Sequence, residues 1–314
     1  MVIAVTGGTG FVGRHVLNLL AASGHPVRAL ARTPANLPQH ASITSVAGDL
    51  ADPDALARLC EGVDRVLHIA GAISGTPAQM MRVNAEGTRA LLRAADKAGV
   101  TRVVHLSSLA AREPGISPYG RSKAEGESAV KAAARGISTL IIRPPAVYGE
   151  GDTATIPLLK ALTSRTAMLP GSAAARFSLI HAEDLARICV AALASPVEDV
   201  REVDDGHGAY TWPEVAQTLR AVSGRPGQVI FLPRLLAMTV GHAADGLSVL
   251  TRTPGMISAG KMRELYHGDW VSRPPGWPRE NPVPLEQGMR RTLAWAMAQR
   301  LLPQLPLTDR SAAS

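Results

Sequence analysis

Thr6-Gly7-Gly8-Thr9-Gly10-Phe11-Val12-Gly13 follows the apolar run Val2-Ile3-Ala4-Val5 and opens a helical pattern from Phe11 to Ala22. A glycine motif carries meaning when a strand precedes it and a helix follows. Gly7 suits the positive φ of a tight turn. Gly10 lets the backbone approach a pyrophosphate, and Gly13 lets the helix lie close on a sheet. Phe11, Val12 and Gly13 begin the helix, whose free N–H groups and partial positive charge suit phosphate. The stretch predicts the phosphate-binding turn of a dinucleotide site. The alternative is a glycine-rich turn without a ligand.

Outward from this turn, strand and helix signals alternate. Val27–Ala31, Ile43–Val46, Arg65–Ile69, Arg102–Leu106 and Ser138–Ile142 read as strands. Pro53–Cys60, Ala78–Ala98 and Tyr119–Ala134 read as helices, each closed soon afterwards by Gly62, Gly99 or Gly136. This order predicts an α/β fold, a doubly wound Rossmann-type parallel sheet with right-handed crossovers. Ligands of such sheets lie at the carboxyl ends of the strands. After Gly149 the pattern loosens. Ile156–Leu162, Ala182–Ala194, Trp212–Ser223 and Arg234–Leu250 look helical, and Val200–Val203 reads as one more strand of the same sheet. The expected division is a dinucleotide-binding domain over 1–150, rejoined by about 178–205. A smaller, discontinuous C-terminal lobe over 151–177 and 206–302 would hold the substrate, and the polar tail 303–314 would fray.

The second strand is read for the cofactor's phosphate state. A carboxylate at its end suits the ribose hydroxyls of NAD, whereas an arginine accommodates the 2′-phosphate of NADP. Here Ala31 takes the acidic position and Arg32 follows. That argues for NADP over NAD. A solvated loop arginine is the other reading.

Composition excludes several classes. The 314 residues are 46% hydrophobic and 19% charged, which rules out wholesale disorder. Net charge is +7, with 28 Arg and 5 Lys, but no basic cluster stands on one element. No nucleic-acid partner is therefore expected. No apolar run approaches the ~20 residues of a membrane span, so no membrane partner is expected either. Cys60 and Cys189 have no metal-ligand spacing, and no metal is expected. They read as reduced packing residues. With a strand directly after Met1, they point to a cytoplasmic protein.

The chemical motif is Tyr119-Gly120-Arg121-Ser122-Lys123. Tyr119 and Lys123 stand at i and i+4, on one helix face. A phenol titrates near pH ~10, and a nearby ammonium stabilises its phenolate. Such a tyrosine can exchange a proton with a carbonyl or alcohol oxygen while hydride moves to or from a nicotinamide. The strand Val103–Leu106 delivers Ser107 and Ser108 at its carboxyl end, where a hydroxyl can hold the same oxygen.

Taken together, these motifs resemble the extended branch of the short-chain dehydrogenase/reductase superfamily, the NAD-dependent epimerase/dehydratase-like proteins. The resemblance covers about residues 1–210. It implies Ser108 as the catalytic serine, with Ser107 the fallback, Tyr119 as acid/base and Lys123 as the ribose-binding residue. Gly48-Asp49-Leu50 resembles the segment whose Asp contacts adenine. His68-Ile69-Ala70-Gly71 is similar to the turn along the cofactor. Asn84-x-x-Gly87-Thr88 matches the next helix start, with Asn84 a cofactor contact, an organiser of the site or simply a helix cap. Arg143-Pro144-Pro145-Ala146-Val147-Tyr148-Gly149 looks like the strand end beside the nicotinamide, which brings in Pro144 and Val147. Phe177 to Ala186, with His181 and Asp184, resembles a segment linking two lobes. Many relatives pair subunits through the helices read as Ala78–Ala98 and Tyr119–Ala134, so a homodimer is a family expectation.

Two departures shape the functional expectation. Ala146 stands where nucleotide-sugar members usually carry Asn, and only ten residues separate Ser108 from Tyr119. The leading expectation is an oxidoreductase interconverting a carbonyl and an alcohol on a small, fairly apolar substrate. A nucleotide-sugar epimerase or dehydratase is the alternative, favoured by the retained Arg176. A non-catalytic dinucleotide-binding subunit is the second. His68 reads as a packed, hydrogen-bonded histidine. Arg234 to Leu250 reads as core packing, with the roof of an apolar pocket as the alternative. Trp270, Trp277 and Trp295 suggest one packed C-terminal cap.

Overall fold

The computed structural model describes residues 1–133, 136–251, 257–274, 276–277 and 281–308, excepting the side chains at 248–250. The chain opens with β1 (Ile3–Thr6), α1 (Phe11–Ala22), β2 (Val27–Ala31), β3 (Ile43–Ala47), α2 (Pro53–Cys60) and β4 (Arg65–His68). A helix in three pieces follows: α3 (Pro77–Met81), a π-helical turn over Arg82–Glu86, and α4 (Gly87–Lys97). Then come β5 (Arg102–Leu106), α5 (Pro118–Lys131), β6 (Ser138–Arg143), β7 (Ala146–Tyr148), α6 (Ile156–Leu162), β8 (Thr166–Leu169), β9 (Arg176–Phe177) and β10 (Leu179–His181). The chain continues through α7 (Ala182–Ala194), β11 (Asp199–Glu202), β12 (Tyr210–Thr211), α8 (Trp212–Ser223) and β13 (Gln228–Phe231). The last elements are α9 (Arg234–Thr251), α10 (Ala259–Leu265), β14 (Asp269–Trp270) and α11 (Leu285–Ala298). Two compact units emerge. One takes 1–144 and 183–203 with a short return from Arg273, and the other takes 145–182, 204–272 and the C-terminal segment.

The first unit is a seven-stranded sheet in the order β11-β6-β5-β4-β1-β2-β3. Every pairing in it is parallel. All residues of β1 and β5 are buried, as suits central strands covered on both faces. The sheet grows one way from β1 to β3 and the other way from β4, so a switch point lies between β1 and β4. There Thr6 stands in register with His68, the last residues of their strands. Leu56, Leu59, Val66, Leu91 and Val103 are among the side chains that fill the core on one face. Asp52 caps α2 by accepting from the N–H groups of Asp54 and Ala55, and Pro53 opens the helix. Cys60 and Cys189 are both buried thiols in this unit, pushed up by burial to about 11 and about 12.

The helix expected over Ala78–Ala98 runs over Pro77–Lys97, with a π turn in its middle. Thr76 and Gln79 form a capping box that starts α3 at Pro77. The π turn then follows, and the Thr88 hydroxyl donates to the Asn84 carbonyl at 2.7 Å, competing with the regular ladder. Asn84 therefore sits inside a widened turn and caps nothing.

The second unit builds its core from Leu162, Phe177, Tyr210, Leu219 and Leu293, among others. Three small sheets surround it: β10 with β7, β12-β9-β14, and β13 with β8. Thr211 caps α8 in a capping box with Glu214. Trp270 and Trp295 pack on this core, and Trp277 belongs to the first unit. The segment after Pro303 does not fray as expected. Leu305 is buried, and Thr308 donates from its N–H to the Val222 carbonyl at 3.0 Å. Residues 309–314 of that tail lie outside the described residues. α9 also departs from expectation. It turns Ala237 and Gly241 inward and exposes Leu235, Leu236, Val240 and Leu247.

Candidate active site

The glycine turn works by exclusion of side chains. Gly7 has φ +78°, and a Cβ there would lie 2.5 Å from the Ala70 nitrogen. A Cβ on Gly13 would lie 2.0 Å from the Gly7 oxygen. The loop after β1 is thus pressed against the loop after β4 and against the first turn of α1. No side chain caps α1 at Gly10, and no acid stands in its first turn. With neither a capping side chain nor an acid in that turn, a cradle of bare backbone N–H groups around Phe11 and Val12 fits a dinucleotide pyrophosphate.

At the end of β2 the two arginines have different employment. The Arg28 guanidinium donates to the carbonyls of Arg58 at 2.9 Å and Glu61 at 2.6 Å, closing the end of α2. Arg32 is exposed just past Ala31. Arg14, which the motif reading passed over, donates to Thr9 O at 3.2 Å and Asn36 O at 3.3 Å. It ties the loops after β1 and β2 together and brings a second guanidinium to that edge. Asp49 is exposed, with its carboxylate accepting from the Ala51 N–H at 2.8 Å, and Leu50 is buried beside Gly87.

A buried hydrogen-bond chain crosses the switch point. The Thr88 hydroxyl gives its proton to Asn84 O, so it accepts at 2.9 Å from Nε2–H of His68. The neutral ring then accepts at Nδ1 from the Thr6 hydroxyl, 2.6 Å away, and Thr6 Oγ1 accepts in turn from the Ala70 N–H. Burial, and then the Lys123 charge, hold His68 down at about 3. His105 lies beside it with ring centroids 5.0 Å apart, and neither of its ring nitrogens has a hydrogen-bond partner among the described residues. Asn84 is 1% exposed. Its Oδ1 accepts from Ala72 N at 2.7 Å, and its amide donates to Ala72 O at 2.9 Å and Ser122 Oγ at 2.8 Å. Both amide hydrogens are used within the protein and tie Asn84 to the loop after β4 and to α5.

Ser108 follows β5 and Lys123 reaches its carboxyl end, with Tyr119 one turn before Lys123 on α5. Ser117 caps α5 by accepting from Gly120 N at 2.9 Å, and Pro118 occupies the first turn. A Cβ on Gly120 would lie 2.6 Å from Ala110 O, so α5 rests directly on the 3-10 turn Leu109–Arg112 that begins after Ser108. Tyr119, at the start of α5, is partly exposed. Lys123 is 4% exposed and donates from Nζ to Leu106 O at 2.7 Å. A Cβ on Gly71 would lie 3.5 Å from that nitrogen, so the ammonium reaches the loop after β4. Burial lowers the ammonium to about 8, and the Glu127 carboxylate opposes the shift.

The two serines have separate partners. Ser107 is buried and donates to Glu127 Oε1 at 2.6 Å. Ser108 is less buried and accepts from the Ala110 N–H at 3.2 Å. Glu127 also receives Arg143, through Nε at 2.8 Å and a terminal nitrogen at 2.6 Å. Arg143 reaches Glu202 at 3.5 Å, and Arg112 reaches the same carboxylate at 3.1 Å. Sequence reasoning missed this network. Its one signal was an acid four residues beyond Lys123.

The remaining predicted residues are placed as follows. Ile69, Ala70 and Gly71 stand partly open after β4. Pro144 is buried, and its carbonyl accepts from Leu109 N at 2.9 Å. Val147 lies on β7, in the second unit. There too His181 is fully buried, 3.1 Å from Glu150, with its ring edge against Tyr148. Burial works to raise the Glu150 carboxyl, but hydrogen bonds from His181 and Arg291 overcome it and hold it at about 2. Asp184 pairs with Arg187 at 2.5 Å, and Arg176 is exposed on β9.

Residues 3–204 match the family described as NAD dependent epimerase/dehydratase family. The chain is 41% identical over 312 residues to a ceramide reductase of Caulobacter vibrioides, covering 96% of each protein. It is 28% identical to the sterol demethylase protein B of Methylococcus capsulatus, over 79% of this chain and 82% of that one. It is 31% identical to a 3 beta-hydroxysteroid dehydrogenase/Delta 5-->4-isomerase of Mycobacterium tuberculosis, over 63% of this chain and 61% of that one. Among solved structures, a UDP-N-acetylglucosamine 4-epimerase from Methanobrevibacter ruminantium matches with TM-score 0.73 at 19% identity, covering 95% of this chain and 98% of that one. That likeness concerns the fold.

Proposed function

We propose, from the premise that the chain belongs to the NAD-dependent epimerase/dehydratase family and is an NAD(P)-dependent oxidoreductase of it, that it interconverts the ketone and the alcohol of a ceramide-class lipid, with NADP(H) preferred. One observation carries this reading. A buried ammonium, Lys123, stands one turn from Tyr119 and beside Gly71, in a chain that matches a ceramide reductase along nearly its whole length. The sterol and steroid proteins among the relatives point to the same chemistry, an oxygen on an apolar skeleton.

In this reading the turn Gly7–Gly13 holds the pyrophosphate, Asp49 and Leu50 border the adenine, and Ile69, Ala70 and Gly71 line the cofactor's path. Arg32 meets the 2′-phosphate, with Arg14 adding charge at that edge. The nicotinamide, when bound, supplies or takes the hydride. Tyr119 passes a proton to the substrate oxygen and takes one back in the reverse direction. Lys123 holds a ribose hydroxyl and keeps a positive charge near that phenol. Ser108 orients the oxygen, and Ser107 is left to Glu127. Asn84 fixes the loop that ends at Ala72. Pro144 and Val147 remain expected neighbours of the nicotinamide.

The test is to mix the protein with NADPH and the ketone form of a ceramide, dispersed in detergent, and to follow reduced nicotinamide by absorbance. Loss of NADPH in step with alcohol formation is the expected result. An epimerase would isomerise substrate without net NADPH loss, and a non-catalytic subunit would bind NADPH and turn nothing over. The homodimer is part of the same proposal. A shallow groove lined by Arg89, Leu92 and Arg93 of α4 and Ala129 of α5 lies on the face it would use, and light scattering of the purified chain would show twice the chain mass.

A further inference from the structure

α9 is built inside out. At ~100° per residue, Leu235, Leu236, Thr239, Val240, Ala243 and Leu247 fall on one arc of the helix. Leu235 is 85% exposed and Leu247 60%, with Leu236 and Val240 close behind. The opposite arc holds Ala237 and Gly241, with Met238 and Asp245 half-buried beside them. Ala237 and Gly241 are buried, and a Cβ on Gly241 would lie 2.9 Å from the Cα of Ala259, which leads α10. Soluble helices place their large aliphatic side chains inward. This one makes its close approach to α10 through Gly241 and leaves Leu235, Leu236, Val240 and Leu247 exposed.

The charge pattern is as one-sided. Between 234 and 247 the only carboxylate is Asp245, and it faces inward to accept from Ala259 N at 3.0 Å. The outer arc carries no charge, and exposed Arg234 stands at its start. Before it, β13 leads through Leu232 and Pro233 directly into α9, and on that sheet Ile230 pairs in register with Met168, both exposed. The whole chain carries +7.

We infer that α9 is a membrane-docking surface, whose outer leucines and valine enter the headgroup–acyl boundary of an anionic bilayer while Arg234 meets lipid phosphate. The choice of a lipid surface over a protein partner rests on the proposed function: a ceramide-class substrate resides in a bilayer and must be met there. A helix that lies in the interface buries an apolar face at the acyl boundary and meets anionic lipid through basic side chains; α9 supplies the exposed apolar arc, and Arg234 is the basic group at its start. No described helix is long and apolar enough to cross a membrane, so the attachment is to one surface. This departs from the expectation of no membrane partner, which came from the lack of a spanning segment alone.

The experiment is flotation of the purified chain with vesicles of phosphatidylethanolamine and phosphatidylglycerol, compared with phosphatidylcholine vesicles. The second protein is the triple variant Leu235→Glu, Leu236→Glu, Leu247→Glu. These are surface positions, so the variant should fold and should reduce a short-chain, water-soluble ketone at the wild-type rate. Wild type should float with the anionic vesicles, and less with phosphatidylcholine. The variant should lose roughly tenfold or more of that binding, and its turnover of long-chain ketone presented in vesicles should fall alongside. Wild type that stays with the soluble fraction overturns the inference. So does a variant that floats equally well. A variant whose mass by light scattering drops to half that of wild type also overturns it, because a second copy would then be the occupant. The proposed activity fails separately: if no ketone is reduced in any form, vesicle binding that the variant loses still stands as the property of α9.

Discussion

Lys123 and Glu127 lie one turn apart on α5, both shut away from water, and each bonds elsewhere: the ammonium to Leu106 O, the carboxylate to Arg143 and Ser107. The carboxylate still acts on the ammonium through space, opposing the downward pull of burial. A buried positive charge needs such a neighbour, because desolvation alone favours the neutral amine.

Glu127→Gln should therefore act twice. Arg143 would keep only Glu202, and breaking a buried pair of this kind costs ~3–5 kcal/mol, the lower end applying because one partner remains. Urea unfolding measures that loss. Lys123 would also titrate below about 8, so its charge would vanish earlier as pH rises. The alkaline limb of the turnover profile should move to lower pH. A limb that stayed in place would separate Glu127 from Lys123.

Tyr119→Phe should leave NADPH binding nearly intact and lower turnover by ~10²–10⁴, the usual range for positioned acid–base catalysis. Lys123→Ala should weaken both, since the ammonium would serve cofactor and tyrosine together. Near-wild-type turnover by Tyr119→Phe would assign the proton transfer to another group.

Arg32→Ala should weaken NADPH binding and leave NADH binding unchanged, because only NADPH carries the 2′-phosphate. Fluorescence titration of both nucleotides reads this directly. Equal affinities for the two in wild type, unmoved by the substitution, would remove Arg32 from the site and make NAD the better assignment.

Acid should destabilise the fold through the paired histidines. His68 is held at about 3 against an ordinary 6.5, and His105 is also pushed well down by burial. Between those values the unfolded chain binds protons that the folded chain refuses. The stabilising effect of His68 is full above pH 6.5 and declines as pH falls toward 3, by up to ~1.4 kcal/mol per pH unit, and His105 adds a loss of the same sign below pH 6.5. His105→Leu sacrifices no hydrogen bond and should flatten the fall in urea midpoint. An unchanged slope would place the acid sensitivity in other groups.

Local chemistry made much of this protein legible in its sequence. The glycine spacing at 7, 10 and 13 needs only a strand before it and a helix after it. Tyr119 and Lys123 share a face by helical period alone. Arg32 follows from where one strand ends. Several helices, such as α1, α2 and α8, were readable to the residue because caps, prolines and glycines mark their limits.

Other features were decided only when distant segments met. The family resemblance put Ser108 ahead of Ser107, but only the fold shows that the Ser107 hydroxyl donates to Glu127, a carboxylate arriving from another element. The π turn at Asn84 also shows only in the fold, where its amide bonds to Ala72 and, on another helix, Ser122. α9 is the sharpest case. A run of leucines implies burial only if a surface exists to receive them. The backbone of Ala259 stands so close to Gly241 that only small residues fit between the helices, so the large ones are left facing out. Periodicity records which residues share a face, and packing decides which way that face is turned.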